Sequence, residues 1–208
     1  MATEQLTDTR RHILAAADQI MRERGLRAAT TRAIAERAGC AEGSIYRYFP
    51  DKHALLAECI RARYPEFQEL LDTLPSRVGR GSIRKNLEEI ARSALAFYHA
   101  ILPMIAATMA EPELVEQQRA HYQKVEGGPL KTFGSVTAYV RSEQRIGRIS
   151  SRVPPEFVAR TLLGTCFAQA FVEAMVGEDA RLGSDDAFTR EAVRTLMEGL
   201  LVRRTAGM

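Results

Sequence analysis

Apolar residues recur at spacings of three and four along nearly the whole chain, and alternating β-branched runs are scarce, so the pattern predicts helix after helix. The first runs from Thr7 or Asp8 to Arg24, with Ile13, Ala16, Ala17 and Ile20 on one face and Gly25 as its left-handed stop. A short helix from Arg32 to Ala38 follows Thr30-Thr31, where a threonine hydroxyl can cap the exposed amides, and Gly39 ends it. A third occupies about Glu42 to Phe49. Pro50-Asp51 closes it and opens a fourth with Asp51 as N-cap, whose stripe of Leu55, Leu56, Cys59 and Ile60 kinks or ends near Pro65. Ser76 to Ser82, with Gly79 and Gly81, reads as a connector. Beyond it the spacing predicts helices over residues 83–101, 103–110, 112–125, 129–146, 155–177 and 187–203, separated at Gly127-Gly128-Pro129, Gly147 to Pro155 and Gly177 to Asp186. The fold class is therefore all-α, a small N-terminal three-helix unit followed by a larger C-terminal bundle, with about nine helices in all.

Composition narrows this picture without changing it. A chain of 208 residues, 46% hydrophobic and 26% charged, is an ordinary globular sequence and excludes disorder, collagen and a disulfide-stapled miniprotein. Cys40, Cys59 and Cys166 lie far apart, with no C-x-x-C pair and no histidine at ligand spacing, so neither a zinc site nor a disulfide framework is expected and a reducing cytoplasm is. No secretory leader is expected, because Glu4, Asp8, Arg10, Arg11 and Asp18 leave no apolar stretch of the needed length. Ser93 to Ala110 runs 18 residues without a charge and just reaches membrane-spanning length, but Ser93, Tyr98, His99, Pro103 and Thr108 favour a buried helix pair broken near Pro103. H-E-x-x-H, G-x-S-x-G and Walker motifs are absent, and Gly79-Arg80-Gly81 follows no strand, so no catalytic, metal or cofactor site is expected. The net charge is only +3, too small for the whole surface to attract polyanions. Its placement matters more: residues 1–64 hold 11 Lys and Arg against 8 Asp and Glu, which leaves the remainder neutral.

The basic third contains the most informative stretch, Thr30 to Leu56, whose punctuation is that of a helix-turn-helix. Ala35 is small where two helices must cross, Gly39 permits the tight turn, and Ile34, Ala38, Ile45 and Phe49 pack between them. On a wheel with Ile45 at zero, Phe49 lies near 40°, while Gly43, Ser44, Tyr46 and Arg47 fall between about 100° and 260° and Tyr48 sits at the edge. A glycine, a hydroxyl, phenols and an arginine suit a nucleic acid better than a protein core. Gly43 allows close approach, Ser44, Tyr46 and Tyr48 can donate to phosphates, and Arg47 can reach a phosphate or a guanine edge. Lys52 lies in the first turn of a helix, where the dipole disfavours a cation unless a phosphate docks there. From Arg22 to Lys52 there are seven basic residues against four acidic ones, and Glu42 beside the outward face runs against that excess unless it accepts from a cytosine amine. The alternative set against DNA binding is a purely structural three-helix module with a polar face, as in some protein-interaction domains.

These residues also resemble the DNA-binding domain of TetR family transcriptional regulators, through R-x-x-I-L-x-A-A in slightly modified form at Arg11 to Ala17, T-T-R-x-I-A-x-x-A-G at Thr30 to Gly39 and G-S-I-Y-R-Y-F-P-D-K at Gly43 to Lys52. The match covers about residues 7–60; the rest agrees in length and helicity. The resemblance implies that Thr31 and Arg32 approach DNA, that Gly43, Ser44 and Arg47 meet the groove, and that Tyr46, Tyr48 and Lys52 meet mainly phosphates. Two positions depart from it. Ala41 stands where a capping serine is frequent, and His53 where an acidic residue is frequent.

In the C-terminal part, Phe97, Tyr98, His99, Met104, Met109, Phe133, Phe167 and Phe171 are candidates for an effector pocket, although packing alone would account for many of them. The last two helices carry apolar faces, Phe157, Leu162, Leu163, Cys166, Ala170 and Ala174 on one and Phe188, Ala192, Leu196 and Leu200 on the other. With the resemblance, they are expected to meet their twofold mates in a homodimer, which would require a roughly palindromic operator in double-stranded DNA. The expected organisation is a DNA-binding domain over residues 1–50 and an effector-binding and dimerisation domain over 51–208, giving a repressor released by a small, apolar or aromatic effector, without enzymatic activity. The alternative is a helical ligand-binding or enzymatic protein whose N-terminal module docks a protein partner.

Overall fold

The structure is a computed structural model and describes residues 2–25, 28–63, 65–124 and 128–198. Among these residues there are ten α-helices and no strand: α1 (Ala2–Arg24), α2 (Thr31–Ala38), α3 (Glu42–Ile45), α4 (Lys52–Arg63), α5 (Pro65–Arg77), α6 (Ile83–Met109), α7 (Pro112–Lys124), α8 (Gly128–Arg145), α9 (Pro155–Val176) and α10 (Asp185–Glu198). A 3-10 turn at Glu178–Ala180 follows α9. Leu200, Gly127 and the expected end of the last helix near 203 lie outside the described residues.

Two expectations are corrected. The helix pair broken at Pro103 is one helix, α6, with the proline inside it. Proline removes one helical hydrogen bond at a cost of about 3 kcal/mol, and the apolar residues flanking it, Ala94, Leu95, Leu102 and Met104, are all buried, which offsets that loss. The third helix is shorter than predicted: α3 ends at Ile45, and hydrogen-bonded turns from Ser44 to Arg47 and from Ile45 to Tyr48 and Phe49 carry the chain on.

The chain divides into two compact units, residues 1–65 with 100–121, and residues 66–99 with 122–208. In the first, α1 packs on α2 and α4, and α2 on α3. Its core is the stripe read from the sequence, Ile13, Ala16, Ala17 and Ile20 against Ile34, Ala35, Ile45, Phe49, Leu55, Leu56 and Cys59, all buried. Because α4 packs on α1, this unit extends past residue 50, where the functional division is expected.

The second unit is built around α6, α8 and α9. Leu87, Ile90, Ala91, Ala94 and Leu95 recur at three and four along α6 and meet Val136, Tyr139 and Val140 of α8 and Leu162, Leu163 and Cys166 of α9 in one core. Burial pushes the Cys166 thiol up to about 12. The connector between α5 and α6 is pinned by a buried carboxylate, Glu143, which is fully enclosed. It accepts from the Gly79 amide at 3.2 Å and lies 3.3 Å from Arg148, whose Nη2 donates to the Gly81 carbonyl at 2.6 Å.

Candidate nucleic-acid interface

Local chemistry sets the frame of this surface. Thr30, in extended backbone, caps α2 by accepting from the Ala33 amide at 3.1 Å. Gly39 ends α2 in the left-handed region at φ 68°, and the amides of Gly39 and Cys40 bond back to Glu36 and Ala35. That closure turns the chain within two residues and delivers it to α3. Ala41, at the N-cap of α3, makes no side-chain cap bond, as its departure from serine predicts.

The burial of side chains along the α3 segment follows the wheel except at Ser44, which is half-buried rather than open. Ile45 and Phe49 are enclosed, Gly43, Tyr46 and Arg47 are exposed, and Ser44 and Tyr48 are intermediate. Tyr46 keeps 53% of its surface open, a large phenol with no core to fill. Gly43 has ordinary negative φ, and a Cβ built there would meet nothing within 4 Å. Folding therefore does not require a glycine at this position.

The flanking residues extend the polar face. Thr31, half-buried, donates to Glu42, and Arg32 is exposed in a 3.3 Å pair with Glu36. Lys52 and His53 open α4 beside Asp51, whose carboxylate caps the Ala54 amide at 2.7 Å and so takes one of the donors a phosphate could use. Among the described residues, neither Arg47 nor Lys52 is paired with an acidic group. Not every arginine of the basic stretch belongs here: Arg37 pairs with Glu23 at 2.7 Å, and that contact holds the Glu23 carboxyl below its ordinary value.

Residues 13–59 match the family model for bacterial regulatory proteins of the tetR family. Over that segment the chain is similar to the TetR family. It is 24% identical over 165 residues to the HTH-type transcriptional regulator BetI of Stenotrophomonas maltophilia, covering 76% of this chain and 84% of BetI. It is 40% identical over 68 residues to the HTH-type transcriptional repressor BepR of Brucella suis, 32% of each chain. In fold it is similar to Thermus thermophilus FadR, a TetR family repressor solved with lauroyl-CoA, at a TM-score of 0.67 and 21% identity over 96% of this chain and 98% of that one. Bacillus subtilis FadR, solved with stearoyl-CoA, gives a TM-score of 0.63 at 15% identity over 91% and 98%.

The candidate effector residues do not form one group. Phe97, Tyr98 and Phe167 come together in the second unit, with ring centroids 6.0 Å apart for Phe97 and Tyr98 and 5.5 Å, edge to face, for Tyr98 and Phe167. Phe67 joins them, 5.2 Å from Phe97, and is not among the residues expected from the sequence, although it shares the α5 stripe with Leu70, Leu71 and Leu74. Burial pushes the Tyr98 hydroxyl well above the usual phenol range. His99 lies 3.1 Å from Glu173, a carboxylate that also accepts from Gln169 at 2.8 Å and lies 3.5 Å from Arg181. Burial raises the Glu173 carboxyl, but the Gln169 hydrogen bond and the nearby His99 and Arg181 outweigh it, and its pKa is lowered. Phe133 sits under Arg160. Phe171 is 47% exposed, while Met104 and Met109 fall in the first unit, one buried and the other 72% exposed.

The apolar residues of α9 also sort differently from the expected face. Leu162, Leu163, Cys166 and Ala170 are spent on the internal core. Left uncovered are Phe157, Thr161, Thr165, Ala168, Val172 and Met175, which repeat at three and four along the opposite side. Next to this side, Thr161, Leu162, Thr165, Phe188, Ala192 and Leu196 line a groove of about 480 Å³ between α9 and α10. Among the described residues no helix is long and apolar enough to cross a membrane, and no group of three or more His, Cys, Asp or Glu is placed to hold a metal ion.

Proposed function

We propose that this chain is a cytoplasmic, sequence-specific DNA-binding regulator that represses as a homodimer and is released by a small-molecule effector. The DNA-binding domain is residues 1–50, with Lys52 just beyond it adding one phosphate contact, and residues 51–208 dimerise and take the effector. The observation that carries the reading is Gly43, a residue the fold does not need, open at the centre of an exposed polar face. A missing side chain at that place serves whatever approaches from outside. Thr31 and Arg32 at the start of α2, and Gly43, Ser44 and Arg47 around α3, meet the groove, while Tyr46, Tyr48 and Lys52 hold phosphates.

The uncovered side of α9 and the groove beside α10 supply the self-complementary surface of a twofold dimer. Two such units present two recognition segments, and the operator is then roughly palindromic with fixed half-site spacing. For the effector, the cluster of Phe97, Tyr98 and Phe167 supports an apolar or aromatic ligand. The acyl-CoA compounds named with the two FadR structures are the first compounds to try. An effector releases DNA only through different affinity for the two dimer geometries, with about 1–3 kcal/mol of coupling typical.

Selection from random duplex DNA with the purified protein, at two salt concentrations, tests the reading. A twofold-symmetric motif is expected. Failure of a folded dimer to enrich any sequence at either salt concentration would overturn it.

A further inference from the structure

Glu42 is out of place on a surface meant for a polyanion. It is exposed at the first position of α3, between the uncapped Ala41 and the open Gly43. A glutamate at a helix start ordinarily gains from the helix dipole, but α3 is four residues long and has little dipole to offer. The carboxylate is instead held across the turn, accepting from Thr31 Oγ1 of α2 at 2.5 Å. The second residue of that bond is itself in the proposed interface.

A carboxylate accepts at about four positions, and the Thr31 bond occupies one while fixing the direction of the others. The major groove offers few partners for what remains. Guanine and thymine present acceptors there, adenine pairs its amine with an N7 acceptor, and cytosine presents an amine donor alone. A fixed carboxylate therefore accepts from cytosine and is repelled by guanine and thymine.

We propose that Glu42 is a specificity-determining residue that selects a C·G pair in each half-site by accepting from the cytosine N4 amine, with Thr31 as its positioning residue. This rests on the DNA-binding reading above.

The test is the same selection repeated with Glu42→Ala, Glu42→Gln and Thr31→Val, each first checked for a wild-type melting profile. The wild-type motif is expected to hold a cytosine at one position of each half-site. Glu42→Ala loses that preference by on the order of tenfold while the other positions keep theirs, and Glu42→Gln moves it towards adenine, whose amine and N7 match an amide. Thr31→Val weakens the preference at that one position more than at its neighbours. If the variants return the wild-type motif with affinity raised equally on all sequences, Glu42 is only a repulsive charge and the proposal falls alone. If the wild-type protein enriches no motif, this proposal and the DNA-binding reading fall together.

Discussion

A glycine in a helical segment costs about 0.5–1 kcal/mol relative to alanine, and at Gly43 neither backbone nor packing asks for it. Gly43→Ala should therefore raise stability by about 0.5 kcal/mol in urea unfolding and at the same time weaken operator binding. A rise in stability with unchanged affinity would remove close approach as the reason for the glycine. Arg47 and Lys52 make the complementary case, cations without an acidic partner among the described residues. Their replacement by alanine should leave melting nearly unchanged, and for each phosphate no longer neutralised the slope of log affinity against log salt should fall by about 1. An unchanged slope in titrations across salt would place both side chains off the DNA. The exposure of Gly43 and Arg47 was legible in the sequence because Ile45 and Phe49, four apart, fix the buried side of a short segment. Phe67, Glu173 and Arg181 were not, because the groups that give them meaning, Phe97 and His99, lie far away along the chain.

At the scale of elements, helices with an apolar stripe and a clear stop were readable to within a few residues, as for α2 between Thr30 and Gly39. What could not be read was the decision between two competing terms. Pro103 argues for a break, and only the burial of Leu102 and Met104 on either side of it shows that the helix continues. On α9, the sequence shows apolar residues all round, but only the fold decides which of them the internal core consumes. The connector between α5 and α6 is a third case: its two glycines mark a turn, yet its anchor is Glu143, 64 residues beyond Gly79. Arg148 reaches the enclosed Glu143 carboxylate from the surface, so Arg148→Met leaves that buried charge without its cation and should cost about 1–2 kcal/mol. The double change Glu143→Leu with Arg148→Met should cost less than that single one, because no buried charge remains. Urea unfolding of both variants checks the order, and a double variant less stable than Arg148→Met would show that the Gly79 amide, left without its acceptor, dominates.

The whole molecule must connect a DNA surface, a dimer surface and an effector. Thr165 is exposed on the uncovered side of α9 and lines its groove, so Thr165→Arg places a charge in the proposed dimer contact without touching either core. Sedimentation should then show a monomer, and operator affinity should fall by on the order of a hundredfold, since the second half-site no longer benefits from linkage to the first. A dimer that survives this change is held through another surface. For the effector, the aromatic cluster makes an argument that separates parts of one ligand. If Phe97, Tyr98 and Phe167 receive an apolar chain, lauroyl-CoA should raise the melting temperature and coenzyme A without its acyl chain should not. At a hundred times its Kd a ligand that binds only the folded state adds about 2.7 kcal/mol, which is a shift of about 5–10 °C in a protein of this size. Tyr98→Ala and Phe167→Ala should abolish the shift while leaving operator binding in place. Equal stabilisation by coenzyme A alone would mean that the ligand's polar part is what the protein holds, and would move the effector site away from these rings.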